Sequence, residues 1–333
     1  MSGRPHRAVA DIRYAVRATL DELASEPGGG LGPVLVACSG GADSLALAEA
    51  AAFECAAARR PCGAVVVDHG LQAGSDVVAD RAAAACRALG LDPVVVVAAE
   101  VTGTGQGLEA AAREARYAVL AETAERLGAV AVLLGHTRDD QAEQVLLGLT
   151  RGSGARSLAG MPAARGVFRR PLLAIPREDT RAACVAEGLS AWEDPMNEDD
   201  SFTRVRARRA LRDLERDLGP GVAAALARTA DQLRADADLL DALADTARDD
   251  LPADGTVPVE ALRALPGAVR TRVWRRLLVA AGAPPGRLGA THTDACDRLL
   301  TDWHGQGPLH LPGDLRVRRV GGEVHITGPG PVE

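Results

Sequence analysis

The chain contains no lysine. All 38 of its basic side chains are arginine, set against 45 acidic ones, for a formal net charge of −7. A kinase-type phosphate loop needs a lysine after its glycines, so that route to a bound nucleotide is closed. The acidic balance argues against an all-over basic nucleic-acid binder and leaves local patches open. Aromatic residues are only 2% of the chain, which weakens any reading in which bases stack on an aromatic platform. The six cysteines, Cys38, Cys55, Cys62, Cys86, Cys184 and Cys296, show neither Cys-x-x-Cys nor a Cys/His zinc spacing. Their apolar surroundings predict buried free thiols in a reducing cytoplasm. No 18-residue apolar run predicts a membrane span, and Arg4 and Arg7 are not followed by the apolar core of a signal peptide. A cytoplasmic location is therefore expected.

What is present is ordinary for a soluble protein: 333 residues, 47% hydrophobic and 25% charged, enough for two domains. The abundance of alanine and arginine reads as genomic base bias. Continuous apolar runs at Val34 to Cys38, Ala64 to Val67, Val94 to Ala98 and Val130 to Leu134 alternate with helix-length segments at about Ser44 to Ala58, Ser75 to Leu89 and Leu108 to Leu127. This alternation predicts an α/β fold, a parallel sheet with helices on both faces, whose ligands bind beyond the carboxyl ends of the strands. Further along, a short strand at Val167 to Leu173 and a helix from Pro176 are expected. Thr203 to Asp250 reads as helix throughout, with Gly219-Pro220 as its one strong break. A helix at Val269 to Ala281, another near Thr293 to Asp302, and strands Leu315 to Val320 and Glu323 to Thr327 around a Gly321-Gly322 hairpin predict a small α+β domain at the end.

The most informative stretch follows the first strand: Cys38-Ser39-Gly40-Gly41-Ala42-Asp43-Ser44. Two glycines let the backbone bend tightly and turn its N–H groups toward an anion, the hydroxyls of Ser39 and Ser44 add donors, and the helix opening near Asp43 adds its positive end. The plainer reading is a capped strand-to-helix turn. Three other strand-end motifs carry chemistry. Asp68-His69 ends the second strand, where a histidine more often fixes a loop than acts as a base. Arg113 and Arg116, three apart, share a helical face that is either solvated or aimed at a common target. Gly135-His136-Thr137-Arg138-Asp139-Asp140-Gln141-Ala142-Glu143 ends the fourth strand. Its acids could simply cap a helix, but Asp140 and Glu143 are also spaced to hold Mg²⁺ or a cationic amine together. Arginines cluster at 204–216, 270–276 and 316–319, either as solvated faces or as phosphate contacts.

Ser-Gly-Gly-x-Asp-Ser after an apolar strand resembles the pyrophosphate loop of the ATP-pyrophosphatase superfamily. The tract around Arg113-Glu114-Ala115-Arg116-Tyr117, the string Gly135 to Glu143, Arg151-Gly152-Ser153-Gly154, Arg170-Pro171-Leu172-Leu173 and Trp192 to Asn197 resemble, in order, the motifs of the tRNA(Ile)-lysidine synthases. Gln144 and Met196 depart from the pattern, standing where a threonine and a serine, respectively, are usual. The resemblance implies an adenine nucleotide alpha hydrolase-like fold, with a catalytic domain at 1–215, a helical connector at 216–252 and a C-terminal tRNA-binding domain at 253–333, in a short form without a second C-terminal domain.

The activity it implies is ligation of free L-lysine to C2 of the wobble cytidine of a CAU-anticodon tRNA(Ile) through an adenylated intermediate, with ATP and Mg²⁺. Decoding would change from AUG to AUA. Ser39, Gly40, Gly41, Ala42, Asp43, Ser44, Asp68, His69, Gly135 and His136 would bind ATP, and Asp43 would also ligate Mg²⁺. Asp43, Arg113 and Asp140 would serve catalysis. Asp140 and Glu143 would hold the lysine, and Arg204, Arg206, Arg208 and Arg209 the tRNA. A homodimer is compatible with the sequence. Three other readings compete: a tRNA thiolase, which the lack of a cysteine pair disfavours; a small-molecule amide ligase, which leaves the C-terminal arginines without a role; and a non-catalytic ATP-binding module.

Overall fold

The computed structural model describes residues 4–26, 32–68, 70, 74–99, 108–152, 154–194, 196, 199–252 and 255–328. His69, Ser153, Pro195 and Asn197, all named above, lie outside the described residues. The chain divides into two compact units, Met1–Arg234 and Ala235–Glu333.

The first unit opens with helix α1 (Arg7–Ser25), whose Val9, Ile12, Val16, Leu20 and Leu23 recur at helical spacing and are buried. Strand β1 (Val34–Ala37) is buried at every position. It leads into α2 (Ala42–Ala57), β2 (Cys62–Asp68), α3 (Ser75–Ala88), β3 (Val94–Ala98), α4 (Leu108–Arg126), β4 (Ala131–Leu134) and α5 (Arg138–Thr150). A short helix α6 (Ala155–Leu158) and two-residue strands β5 (Ala164–Arg165) and β6 (Phe168–Arg169) follow. After a 3₁₀ turn at Pro171–Ala174 come α7 (Arg177–Ala186) and α8 (Thr203–Leu218). The sheet order is β3-β2-β1-β4-β6-β5, parallel except for the β5–β6 pair.

Alternate residues of each strand point to opposite faces, and here each face has its own core. Val34 and Val36 pack with Ala64, Val66 and Leu133 beneath α1, α2 and α3. Leu35, Ala37, Val65, Val132 and Leu134 pack with Leu120 and Ala124 of α4. Burial on both sides is why these strands read as unbroken apolar runs rather than as an alternation. The expected strand at Val167 to Leu173 is shorter than its sequence suggests, because Pro171 lacks the N–H needed to continue the ladder and the chain turns into the 3₁₀ segment.

The α8 helix ends at Leu218, where Gly219 takes φ +91°, and α9 (Val222–Asp249) begins after the Glu215 carboxylate accepts the Gly221 and Ala223 N–H groups at 2.6 and 2.8 Å. The second unit, which contains the end of α9, adds β7 (Thr256–Pro258), α10 (Val259–Arg263), α11 (Gly267–Ala280), α12 (Ala290–Thr301), β8 (Leu309–Leu311), β9 (Leu315–Val320) and β10 (Glu323–Thr327). Its sheet is antiparallel, in the order β7-β10-β9-β8, with Val257, Val317 and Val324 facing a core around the fully buried Trp274. The Trp274 Nε1–H donates to Asp297 Oδ1 at 3.3 Å, as a buried indole requires.

Candidate active site

Strand β1 lies between β2 and β4, and the sequence order of the strands reverses between β1 and β4. In an open parallel sheet that reversal opens a crevice at the carboxyl ends. Beyond β1 the chain turns through Gly40 at φ +81°, and Gly41 stands at the N-cap of α2 with no side chain capping the helix. The first N–H groups of α2 are thus left for an anion, with the helix dipole behind them. Ser44 is buried and shapes the loop from inside. Its Oγ accepts from the Ser39 N–H at 3.1 Å and donates to the Gly41 carbonyl at 2.9 Å, whereas Ser39 itself is exposed. The Trp192 N–H donates to the Gly40 carbonyl at 2.9 Å, tying the Trp192–Asp194 segment to the turn.

Beyond β4, Gly135 lies against the start of α2. A Cβ there would stand 3.0 Å from the Asp43 carbonyl oxygen and 3.2 Å from Ser44 Cα. The following acids divide their tasks. Asp139 accepts the Arg177 N–H at 2.9 Å and so caps α7. Asp140 caps its own helix, with Oδ2 accepting from the Thr137 N–H at 2.8 Å and its hydroxyl at 2.9 Å, while Oδ1 meets Arg177 Nη2 at 2.6 Å.

Arg177 gathers this side of the crevice. Its Nη1 lies 3.1 Å from Glu143 Oε1 and its Nε 3.5 Å from Asp43 Oδ2, and Glu143 Oε1 also accepts from Arg208 Nε at 2.8 Å. Asp43 receives a further hydrogen bond from the Thr180 hydroxyl. Burial raises the Asp43 carboxyl above its ordinary range against the pull of Thr180 and Arg177. Burial acts on Asp140 in the same sense, but Arg177 and the Thr137 donors outweigh it and hold this carboxyl below the ordinary range.

The opposite side is cationic. Arg113 Nη2 and Arg170 Nη2 both donate to the Tyr117 hydroxyl, at 3.3 and 3.1 Å, and the Arg113 guanidinium lies 5.0 Å from the Tyr117 ring centre. Burial holds both Arg113 and Arg116 below the ordinary arginine range, and repulsion from Arg204 adds to it. His136 sits between the two sides. Its Nδ1 is buried without a partner, and burial, reinforced by Arg116, Arg170 and Arg113, pushes its pKa down to about 3, so the ring is neutral at any working pH. A crevice with phosphate-seeking arginines on one flank and carboxylates on the other can hold a polyanion and an amine side by side. Among the described residues no three His, Cys, Asp or Glu side chains form a metal cage. Mg²⁺ carried on nucleotide phosphates needs only one or two carboxylates, and Asp43 fits that requirement.

A family model described as a PP-loop domain matches residues 14–215, and a second, described as a TilS substrate binding domain, matches residues 258–325. The tRNA(Ile)-lysidine synthase of Streptomyces coelicolor is 50% identical over 97% of this chain and 99% of its own length, and that of Thermobifida fusca 52% over 98% and 99%. The chain belongs to the tRNA(Ile)-lysidine synthases. Like its family it is an ATP-dependent ligase with a PP-loop fold. Among solved structures, the U34-tRNA thiolase NcsA from Methanococcus maripaludis, with its [4Fe-4S] cluster, shares the fold at a TM-score of 0.56 and 19% identity, over 68% of this chain and 79% of that one.

For this lysidine synthase the structure brings together Ser39 to Ser44, Gly135, His136, Asp140 and Glu143, with Arg113 and Arg116 on the cationic flank. Asp68 ends β2, the neighbour of β1, and accepts the Gly70 N–H at 3.0 Å. The four arginines expected at tRNA separate. Arg208 reaches Glu143 and Arg204 adjoins Arg113, while Arg206 bonds the Asp200 and Ser201 carbonyls and Arg209 pairs with Asp200. In the second unit, Arg270 is held by Asp297, Arg272 by Asp241, Arg276 by Asp245, and Arg275 by the Leu288 and Pro285 carbonyls. That cluster is internal bracing. Arg316 and Arg318 differ: they are exposed on the outer face of β9, in register with His310 and Thr327 and with His325, and no side-chain partner engages them among the described residues.

Sequence reasoning missed Arg177 and Thr180. Their partners Asp43, Asp140 and Glu143 lie 34 to 137 residues away in the chain, so no local spacing signals the cluster. The one local sign is Pro176, which marks the helix start that Asp139 caps.

Proposed function

We propose that this lysidine synthase joins free lysine to C2 of the wobble cytidine of tRNA(Ile) with a CAU anticodon, shifting its decoding from AUG to AUA. The observation that carries this reading is the polarised crevice at the β1–β4 junction, with arginines for phosphate on one flank and buried carboxylates for an amine on the other. The cytosine C2 oxygen attacks the α-phosphorus of ATP, and the bond to pyrophosphate breaks. The lysine ε-amine then attacks C2, and AMP leaves with the former C2 oxygen.

The uncapped N–H groups at the start of α2 and the Ser39 hydroxyl take up the charge that develops on pyrophosphate, with donors already in place. Mg²⁺, held by Asp43 and the phosphates, would supply further neutralisation there. Neutral His136 meets the nucleotide without repelling phosphate or amine, joined by Asp68 and His69. Arg113 approaches the α-phosphate, Asp140 and Glu143 hold the lysine ammonium groups, and Asp43, lifted in pKa by burial, takes the proton that the ε-amine must lose before it attacks.

The decisive assay offers tRNA transcript, ATP and labelled lysine. Label should enter a CAU transcript and not one with another anticodon; no label in either ends the proposal. Asp140→Asn and Glu143→Gln should each raise the KM for lysine by about tenfold or more, the scale of a lost charge-assisted bond, and leave the KM for ATP unchanged. An unchanged lysine KM would remove both residues from lysine binding.

The catalytic part at 1–215, the connector at 216–252 and the tRNA-binding part at 253–333 divide this work. The outer face of β9 is the tRNA surface of the second unit, and Arg204, Arg206, Arg208 and Arg209 are the tRNA contacts of the first. Arg316→Glu with Arg318→Glu should raise the KM for tRNA and flatten its salt dependence by about two units of log–log slope, without moving the KM for ATP. An unaltered salt slope would place the contacts elsewhere.

A further inference from the structure

The carboxylate flank has a charge balance that the lysine reading alone does not require. Asp43, Asp140 and Glu143 all meet Arg177, and Glu143 also meets Arg208. Three carboxylates and two guanidiniums leave one net negative charge. The acceptors are unevenly used. Both oxygens of Asp140 are engaged, Oδ2 by Thr137 and Oδ1 by Arg177. Glu143 receives both guanidiniums on Oε1, and its Oε2 has no protein donor among the described residues although the side chain is only 4% exposed. That oxygen is not sealed from solvent as the unpartnered His136 Nδ1 is, so it stays open to a ligand in the crevice.

We infer that Arg177 is a positioning residue that limits the uncompensated charge of this flank and fixes Glu143 through Oε1 so that Oε2 faces an incoming ammonium group. Without Arg177 the three acids would carry one more uncompensated charge, and Glu143 would be held on Oε1 by Arg208 alone. The planar fork of arginine suits it to bridge three acids, while a lysine at this position would keep the charge and lose the fork. The inference rests on the reading of this flank as the lysine site and adds to it a residue that need not touch lysine.

Arg177→Gln and Arg177→Lys test it, with the KM for lysine, the KM for ATP and the Tm measured on the full chain with tRNA transcript. R177Q should raise the lysine KM about tenfold and hold the ATP KM within about twofold, whereas R177K, which keeps the charge and loses the fork, should raise the lysine KM by only about threefold and leave the ATP KM unchanged. A merely structural arginine would move both KM values and the Tm together. An unchanged lysine KM in R177Q overturns the inference, and so does an R177K chain as impaired as R177Q at an unchanged Tm. Should R177Q not fold, R177K decides alone by the same threefold and tenfold limits. A wild-type chain that incorporates no lysine overturns the reaction proposed above and this inference with it. Lysine incorporation by the wild type with an unmoved R177Q overturns the inference only.

Discussion

Asp43→Asn should slow product formation by about 10²- to 10⁴-fold, the range of a lost acid–base group, with a Tm close to that of the wild type. Asn has nearly the same shape, and its side-chain oxygen can still accept the Thr180 hydroxyl, so the first turn of α2 keeps its tie to α7. What disappears is the charge that faces Arg177 at 3.5 Å and the capacity to take a proton. Burial already disfavours the ionised form of Asp43 and outweighs the pull of Thr180 and Arg177, so removing the charge costs the fold little. Single-turnover lysidine formation, with the Tm measured alongside, separates the two effects. A loss of less than about tenfold would show that Asp43 neither takes the proton nor meets the metal.

Gly135→Val should cause a loss of the second largest size by a different physical route. The added Cβ would meet backbone atoms of Asp43 and Ser44 at 3.0 to 3.2 Å, and backbone cannot swing aside as a flexible side chain can. Either β4 or the start of α2 must shift by some tenths of an ångström. Overpacking of this kind costs about 1–3 kcal/mol, and displacement of the pyrophosphate loop relative to His136 and Asp140 by about an ångström costs about 10²-fold in rate. Activity should fall further than stability does. Gly135→Ala, which adds only the Cβ, should show the same pattern more weakly, and full activity in both variants would mean that the β1–β4 crevice is not where the chemistry occurs.

How much of this was legible in the sequence depends on the range over which each signal acts. Strands β1, β2 and β4 were readable because burial on both faces forces unbroken apolar runs, as at Val34 to Ala37 and Ala131 to Leu134, and the edge strand β3 shows such a run although its Val96 is exposed. Strand β6 lies within the expected run Val167 to Leu173, whereas the two-residue strand β5 and the three-residue strands β7 and β8 are too short to show a period, and their existence depends on partners elsewhere in the sheet. Helix α1 carries a clear period in Val9, Ile12, Val16, Leu20 and Leu23, which a reading of the N-terminus directed at leader segments does not use. In the site, Ser39 to Ser44 and Gly135 to Glu143 were visible because each is a continuous string placed at a strand end. Arg177 was not, because the acids that give it meaning come from α2 and α5. The arginine clusters show the same limit: composition alone could not separate Arg270 and Arg272, held by Asp297 and Asp241, from Arg316 and Arg318, which face solvent.

The hydrogen bond from Trp192 to Gly40 has a practical consequence. The chain has three tryptophans, and the other two, Trp274 and Trp303, belong to the second unit. The indole at 192 is therefore an intrinsic fluorophore fastened by its own backbone to the turn proposed to take the nucleotide's phosphates. With Trp274 and Trp303 replaced by phenylalanine, its emission becomes a single optical channel on that turn, one that reports nucleotide arrival without an attached dye and independently of tRNA turnover.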